Sequence, residues 1–218
     1  MNQPTDPQWL RHPAVDLTGD AGGQIADFLS LAGDISFARD CAASYVRWER
    51  GDATAGGEQV DDMIKRALWT SCCIAYRRVF TSGKGYIPGK PRTRPTETFV
   101  AALNPEQLAA HEEVLDTANK HIAHRVSDLE QILVQVVLQP PPFPRDIATI
   151  TTQLLHFMGP TIEMAETFIP VCDLLLAGTQ QQEASFRQGV REDLQRDHLD
   201  AMYEAIAAQN AGENSSGE

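Results

Sequence analysis

The stretch at residues 109–128, AAHEEVLDTANKHIAHRVSD, decides how this chain is read, and it holds three of its six histidines. Immediately before it stands Asn104-Pro105-Glu106. An asparagine that can accept from free N–H groups, a proline already fixed at helical φ and an acid at the positive helix end together start a helix. The spacing predicts a helix from Pro105 to about Val126. On a wheel of about 100° per residue its apolar stripe is Leu108, His111, Leu115, Ala118, Ile122, Val126 and Leu129. The opposite face carries Glu113, Thr117, Lys120, His121, His124 and, if the helix runs on, Asp128. His111 therefore belongs with the core, whereas His121 and His124 stand together on the polar face.

Upstream, Ile25, Phe28, Leu29, Ala32, Ile35, Ala38, Ala42, Tyr45 and Val46 recur in steps of three and four. They predict a long helix from Gly23 to about Arg50, ended by the glycine-rich turn at 51–57. A second helix is expected over 58–80. One of its apolar lines runs through Val60, Met63, Ile64, Ala67, Ser71 and Ile74, and another through Trp69, Cys73, Tyr76 and Phe80. Apolar residues on two sides place such a helix at the centre of a bundle.

Downstream, residues 132–138 are β-branched and apolar and end at Pro140-Pro141-Pro142, which predicts a strand. Residues 147–152 either pair with it as a hairpin or begin the next helix. Helical spacing returns over 153–177, interrupted at Gly159-Pro160 and kinked or restarted near Pro170. A last helix is expected over 179–209, on the apolar line Phe186, Val190, Leu194, Leu199, Met202 and Ile206. The domain organisation expected is an irregular arm at 1–20, pinned by Trp9 and Leu10, one helical domain at 21–210, and a disordered tail at 211–218. The fold class is mainly α, a bundle of four or five helices with a short strand or hairpin after the third.

Composition narrows the function. The chain has 218 residues, 42% of them hydrophobic and 22% charged, with a mean hydropathy of -0.29. These are the values of an ordinary globular protein. No apolar run is long enough to cross a membrane, and the first twenty residues lack the pattern of a signal peptide, so a cytoplasmic protein is expected. Cys41, Cys72, Cys73 and Cys172 have no paired metal-ligand spacing and read as buried thiols. The formal net charge of -12 argues against general nucleic-acid binding, which depends on neutralising phosphates.

One segment breaks that acidity. Residues 77–94, RRVFTSGKGYIPGKPRTR, hold Arg77, Arg78, Lys84, Lys90, Arg92 and Arg94 and no acid. It is not a phosphate loop, because only three residues separate Gly85 from Gly89 and Pro91 stands where a metal-binding hydroxyl belongs. It is not a dinucleotide loop either, since Pro88 occupies the third glycine position. It reads as a solvated loop or as a basic rim for phosphate or an acidic partner. His121, His124 and Asp128 could also be set as metal ligands along one helix side, but no further ligand is evident, so neither a metal nor a cofactor is expected.

Ala118-Asn119-Lys120-His121-Ile122-Ala123-His124 resembles the signature of the HEPN superfamily (higher eukaryotes and prokaryotes nucleotide-binding). In one bacterial group that signature reads like R-N-K-x-x-A-H. Asn119, Lys120, Ala123 and His124 match it. Residues 68–83, LWTSCCIAYRRVFTSG, are similar to the tryptophan, aromatic–arginine, phenylalanine and glycine pattern of an earlier helix in that group. The likeness spans roughly residues 25–138. It implies a helical bundle, a homodimer and a metal-independent ribonuclease in which histidine moves the proton of a 2′-hydroxyl while arginine holds the phosphate charge. It also implies a place in bacterial defence or toxin–antitoxin systems.

The chain departs from that pattern at the arginine, which is Ala118. Alanine neither binds phosphate nor donates a proton. The expectation is therefore a non-catalytic member that binds a partner protein, itself, or a nucleotide or RNA through His121, His124 and the basic loop. The enzyme alternative uses His124 with Asn119 orienting, and Arg125, Lys120, Arg77 or Arg78 replacing the lost charge. A dimeric scaffold is the third reading.

Overall fold

The computed structural model describes residues 14–90, 92–93, 97–122, 131–155 and 159–215. Among them the chain is mainly helical, with one two-stranded antiparallel hairpin. The helices are α1 (Gly19–Glu49), α2 (Glu58–Phe80), α3 (Glu97–Ala101), α4 (Pro105–Thr117), α5 (Ile162–Asp197) and α6 (Leu199–Ser215). The hairpin, β1 (Gln131–Leu138) and β2 (Ile147–Leu155), lies between α4 and α5 in the chain. None of these helices is long and apolar enough to cross a membrane. Trp9 and Leu10 lie outside the described residues.

By their internal contacts the residues group into two compact units. The larger comprises residues 30–83 and 94–179 and holds the main core. α1 contributes Leu31, Ile35, Ala38, Ala42 and Tyr45, and α2 contributes Trp69, Cys72, Cys73, Tyr76 and Val79. Ala110, Val114 and Ala118 close it from α4 and the segment after it, and Phe168, Val171, Cys172 and Leu175 from α5. Aromatic rings meet edge to face at its centre, with Tyr76 and Phe168 centroids 4.7 Å apart and Trp69 and Phe168 6.2 Å apart. Such contacts add to the area-driven burial of large rings.

α4 starts as its sequence dictates. The Asn104 side chain accepts from the Gln107 N–H at 2.8 Å, and the Gln107 side chain accepts from the Asn104 N–H at 3.1 Å. This capping box satisfies two helix-end donors that would otherwise lack partners.

The second half of the chain differs from expectation. Gly159-Pro160 is not a break inside a helix; it is the turn that precedes α5. A side chain at Gly159 would come within 2.6 Å of the Tyr45 ring, and the Tyr45 hydroxyl donates to the Pro160 carbonyl at 2.7 Å. α5 then runs unbroken through Pro170. One lost backbone hydrogen bond is offset there by Phe168, Val171, Cys172 and Leu175, all buried on one side of the helix. Nor does α5 end near residue 178. Gly178 is inside the helix because a Cβ there would meet the Phe99 ring at 2.5 Å. The glycine marks a close approach rather than a stop. The break falls instead at His198, and α6 continues to Ser215.

α2 also differs. Its Trp69 side is buried, but Val60, Met63, Ala67 and Ile74 on the other line are exposed. The helix packs by one face, not two.

Among the described residues the smaller unit comprises 14–29, 84–90, 92–93 and 180–215. In it Phe28 lies 6.2 Å from Phe186, and Leu17, Ile25, Val190, Leu194 and Met202 line an apolar groove of about 310 Å³.

Candidate functional site

The histidine stretch is built on the end of α4. Regular α-helix stops at Thr117, and Ala118–Ile122 continues it with π-helical spacing. Hydrogen bonds there step five residues rather than four, so a wheel drawn at 3.6 residues per turn loses its phase beyond Ala118. The shared face expected for His121 and His124 falls outside the described residues. The His121 backbone lies in the π segment, while its side chain and all of residues 123–130, including His124, Arg125 and Asp128, lie outside the described residues.

Ala118 is fully buried and packs in the main core. Asn119 and Lys120 are exposed. The Lys120 ammonium pairs with Asp116 at 2.6 Å, one turn back on the same helix. Both partners are largely in water, so the pair contributes little to stability and leaves Lys120 able to exchange partners.

The apolar side of α4 is centred one residue away from its predicted line. Ala110, His111, Val114 and Ala118 are buried, while Leu108 and Leu115 are partly buried. His111 is a core residue. Its Nδ1 lies 2.6 Å from the Tyr76 hydroxyl, and its ring stands edge-on to Phe80 at 5.0 Å. Burial lowers the His111 pKa, against a smaller opposing effect of Glu112, and burial raises that of Tyr76. The pair is a neutral hydrogen bond inside an aromatic cage.

That pair also sets the register between α2 and α4. Tyr76 and Phe80 meet His111 while Glu113 acts on Cys73, and the π segment also contacts α2, so the two helices run antiparallel and Ala118 falls level with about Trp69. Arg77 and Arg78 consequently sit at the opposite end of α4 from the π segment. The structure does not bring them to Ala118. The cations level with the π segment are Lys65 and Arg66, which the sequence pattern did not single out. Lys65 is held by Glu49 at 3.5 Å and Asp62 at 3.3 Å.

The basic segment divides between the two units. Arg77 is half-buried, with its Nε lacking a hydrogen-bond partner, and Arg78 pairs with Asp34 at 3.4 Å. In the smaller unit the loop is pinned by a fully buried carboxylate, Asp27 of α1. Asp27 accepts from the Tyr86 N–H at 2.9 Å, the Thr93 N–H at 3.0 Å and the Thr93 hydroxyl at 3.2 Å. Buried Ile87 anchors the loop from within. Lys90 pairs with Asp20, Lys84 is exposed, Arg92 is half-buried, and Arg94 lies outside the described residues. The loop is thus a tethered turn with part of its charge answered by α1. Asp27 was legible only as one acid among many, since nothing local marks it as buried.

The four cysteines are all buried and free. Burial pushes the Cys73 thiol up to about 12 and raises Cys72 and Cys172 as well, so none is a ready thiolate. No cluster of three or more metal-binding side chains occurs among the described residues. Comparison with protein-family models, curated proteins and solved structures finds no match to this chain.

Proposed function

We propose that this chain is a HEPN-like helical module that works by binding rather than by catalysis. The observation that supports this reading is Ala118. The position where the resembling signature carries arginine is a core residue with no accessible surface. Phosphate cleavage by a lone histidine lacks the group that would hold the developing charge. The two cations of α2 suggested as replacements, Arg77 and Arg78, are at the far end of the paired helices.

The module then acts through its surface on a partner chain, a second copy of itself, or a nucleotide or RNA, in the setting of bacterial defence or toxin–antitoxin systems that the resemblance implies. The test is incubation of the purified protein with labelled RNA in EDTA, beside His124→Ala. The expected result is intact RNA with both proteins. Cleavage by the parent chain that is lost in His124→Ala would overturn the proposal in favour of a metal-independent ribonuclease.

A further inference from the structure

In the smaller unit, one face of α5 opens onto the apolar groove of about 310 Å³. Arg187, Val190, Arg191, Leu194 and Gln195 line it, at helical steps of three and four. Val190 and Leu194 stand on one edge of that face, and Arg191 and Gln195 on the other. The face carries on past the break at His198. There the His198 N–H donates to the Leu194 carbonyl at 3.0 Å, and the His198 carbonyl accepts from the Met202 N–H at 3.1 Å. Leu199 and Met202 extend the lining, and Leu17 and Ile25 add a wall from before and within α1. Leu17 is 40% exposed and Leu199 44%, so the chain itself leaves this apolar floor open to water.

The polar edge of the groove is cationic. Among the described residues no acid lines it. Glu192, Asp193 and Asp197 are turned to other sides of α5, where they bond Gln188 and Arg196. Arg187 is answered one turn back by Glu183, its Nε donating at 2.6 Å. Arg191 is exposed and has no hydrogen-bond or ion-pair partner among the described residues. An apolar trough with an unanswered guanidinium along one edge suits a ligand with a hydrocarbon body and an anionic end. A carboxylate is the matching anion, since it can take two parallel N–H donors from one arginine.

We propose that this groove binds a free medium-chain carboxylic acid, its alkyl chain on Val190, Leu194, Leu199 and Met202 and its carboxylate on Arg191. Size sets the chain length. At roughly 30 Å³ for a methylene, about the share of one water in the liquid, the groove's 310 Å³ holds about ten carbons. From Arg187 to Gln195 the α5 face rises roughly 12 Å. An extended alkyl chain with C–C bonds of about 1.5 Å covers that length in about ten carbons. The two measures agree. A protein helix is roughly 10–12 Å across with its side chains, so the trough accepts a few of those side chains rather than a whole apolar stripe.

Charge sharpens the choice of site. The chain carries -12 overall and repels small anions, so a carboxylate is held only where a cation and an apolar floor coincide. This site goes beyond the binding reading above. It lies in the smaller unit and makes no use of the histidine end of α4, so the RNA experiment and the one below fail independently.

The test is isothermal titration calorimetry of the full chain with octanoate, decanoate, dodecanoate and 1-decanol, each as a monomer in solution. The variants are Arg191→Gln and Leu199→Glu, both at exposed positions. Leu17→Ser stands in for Leu199→Glu should the latter disturb the helical circular dichroism. The expected result is single-site binding that tightens about twofold or more per methylene from octanoate to decanoate, with less gain to dodecanoate. Arg191→Gln should weaken decanoate about fivefold or more and leave 1-decanol within about twofold. Leu199→Glu should weaken both ligands about tenfold. No saturable binding of decanoate, equal binding of decanoate and 1-decanol by the parent, or binding untouched by either variant would each overturn the proposal. Retention on phosphatidylglycerol vesicles without binding of decanoate would overturn it in favour of a membrane surface.

Discussion

Ala118 is small because of where it sits, and that has a measurable consequence. Replacing it with arginine restores the resembling signature on paper, but places a guanidinium where there is no accessible surface. An unpaired buried charge costs several kcal/mol. Ala118→Arg should therefore lower unfolding stability in urea by about 3 kcal/mol or more, and gain no RNA cleavage. A stable, cleaving variant would show that the position opens to solvent. His111 gives a second test at this scale. Its folded pKa lies below its unfolded value of 6.5, chiefly because burial disfavours the imidazolium. Above that value neither state binds the proton and the site imposes no cost. As pH falls through it, the unfolded chain takes up a proton that the folded chain refuses, so stability declines toward acid. His111→Gln removes this contribution, and its melting temperature should fall less between pH 7 and pH 5 than that of the parent. Equal slopes would mean that His111 titrates normally in the folded protein.

Among the elements, α1, α2 and α4 were readable from local rules. Three- and four-residue apolar steps, glycine-rich turns and the Asn104–Pro105 cap lie close in sequence and act close in space. The hairpin was readable as one of two options, because residues 147–152 form a strand only with β1 beside them. α5 was misread for a different reason. Gly159, Pro170 and Gly178 are local stop signals, and each is explained by a distant residue or by the core: Tyr45, the buried side of α5, and Phe99. The loop at 84–93 shows the same dependence. Its three bonds to Asp27 cross about sixty positions of sequence. Asp27→Ala leaves two backbone donors without their carboxylate. Limited trypsin digestion should then cut after Lys84 and Lys90 at least several-fold faster, with α1 still helical by circular dichroism. An unchanged cleavage pattern would mean that Ile87 alone holds the loop.

For the whole molecule, net charge dominates encounters. At -12 the chain should not retard random duplex DNA in a gel at about 150 mM salt, since repulsion between its net charge and the phosphates dominates. Retardation under those conditions would point to a local basic surface stronger than the loop at 84–93 provides. The sequence by itself determined the helical character, the α2 boundaries, the start of α4 and the placing of His111 in the core, because periodicity and capping act over a single turn or two. Tertiary structure decided which apolar line of α2 is buried, that Asp27 holds the basic loop, and that Arg77 and Arg78 lie away from the π segment. Those outcomes depend on which element packs against which, and burial of a face is a property of its neighbours rather than of its own residues.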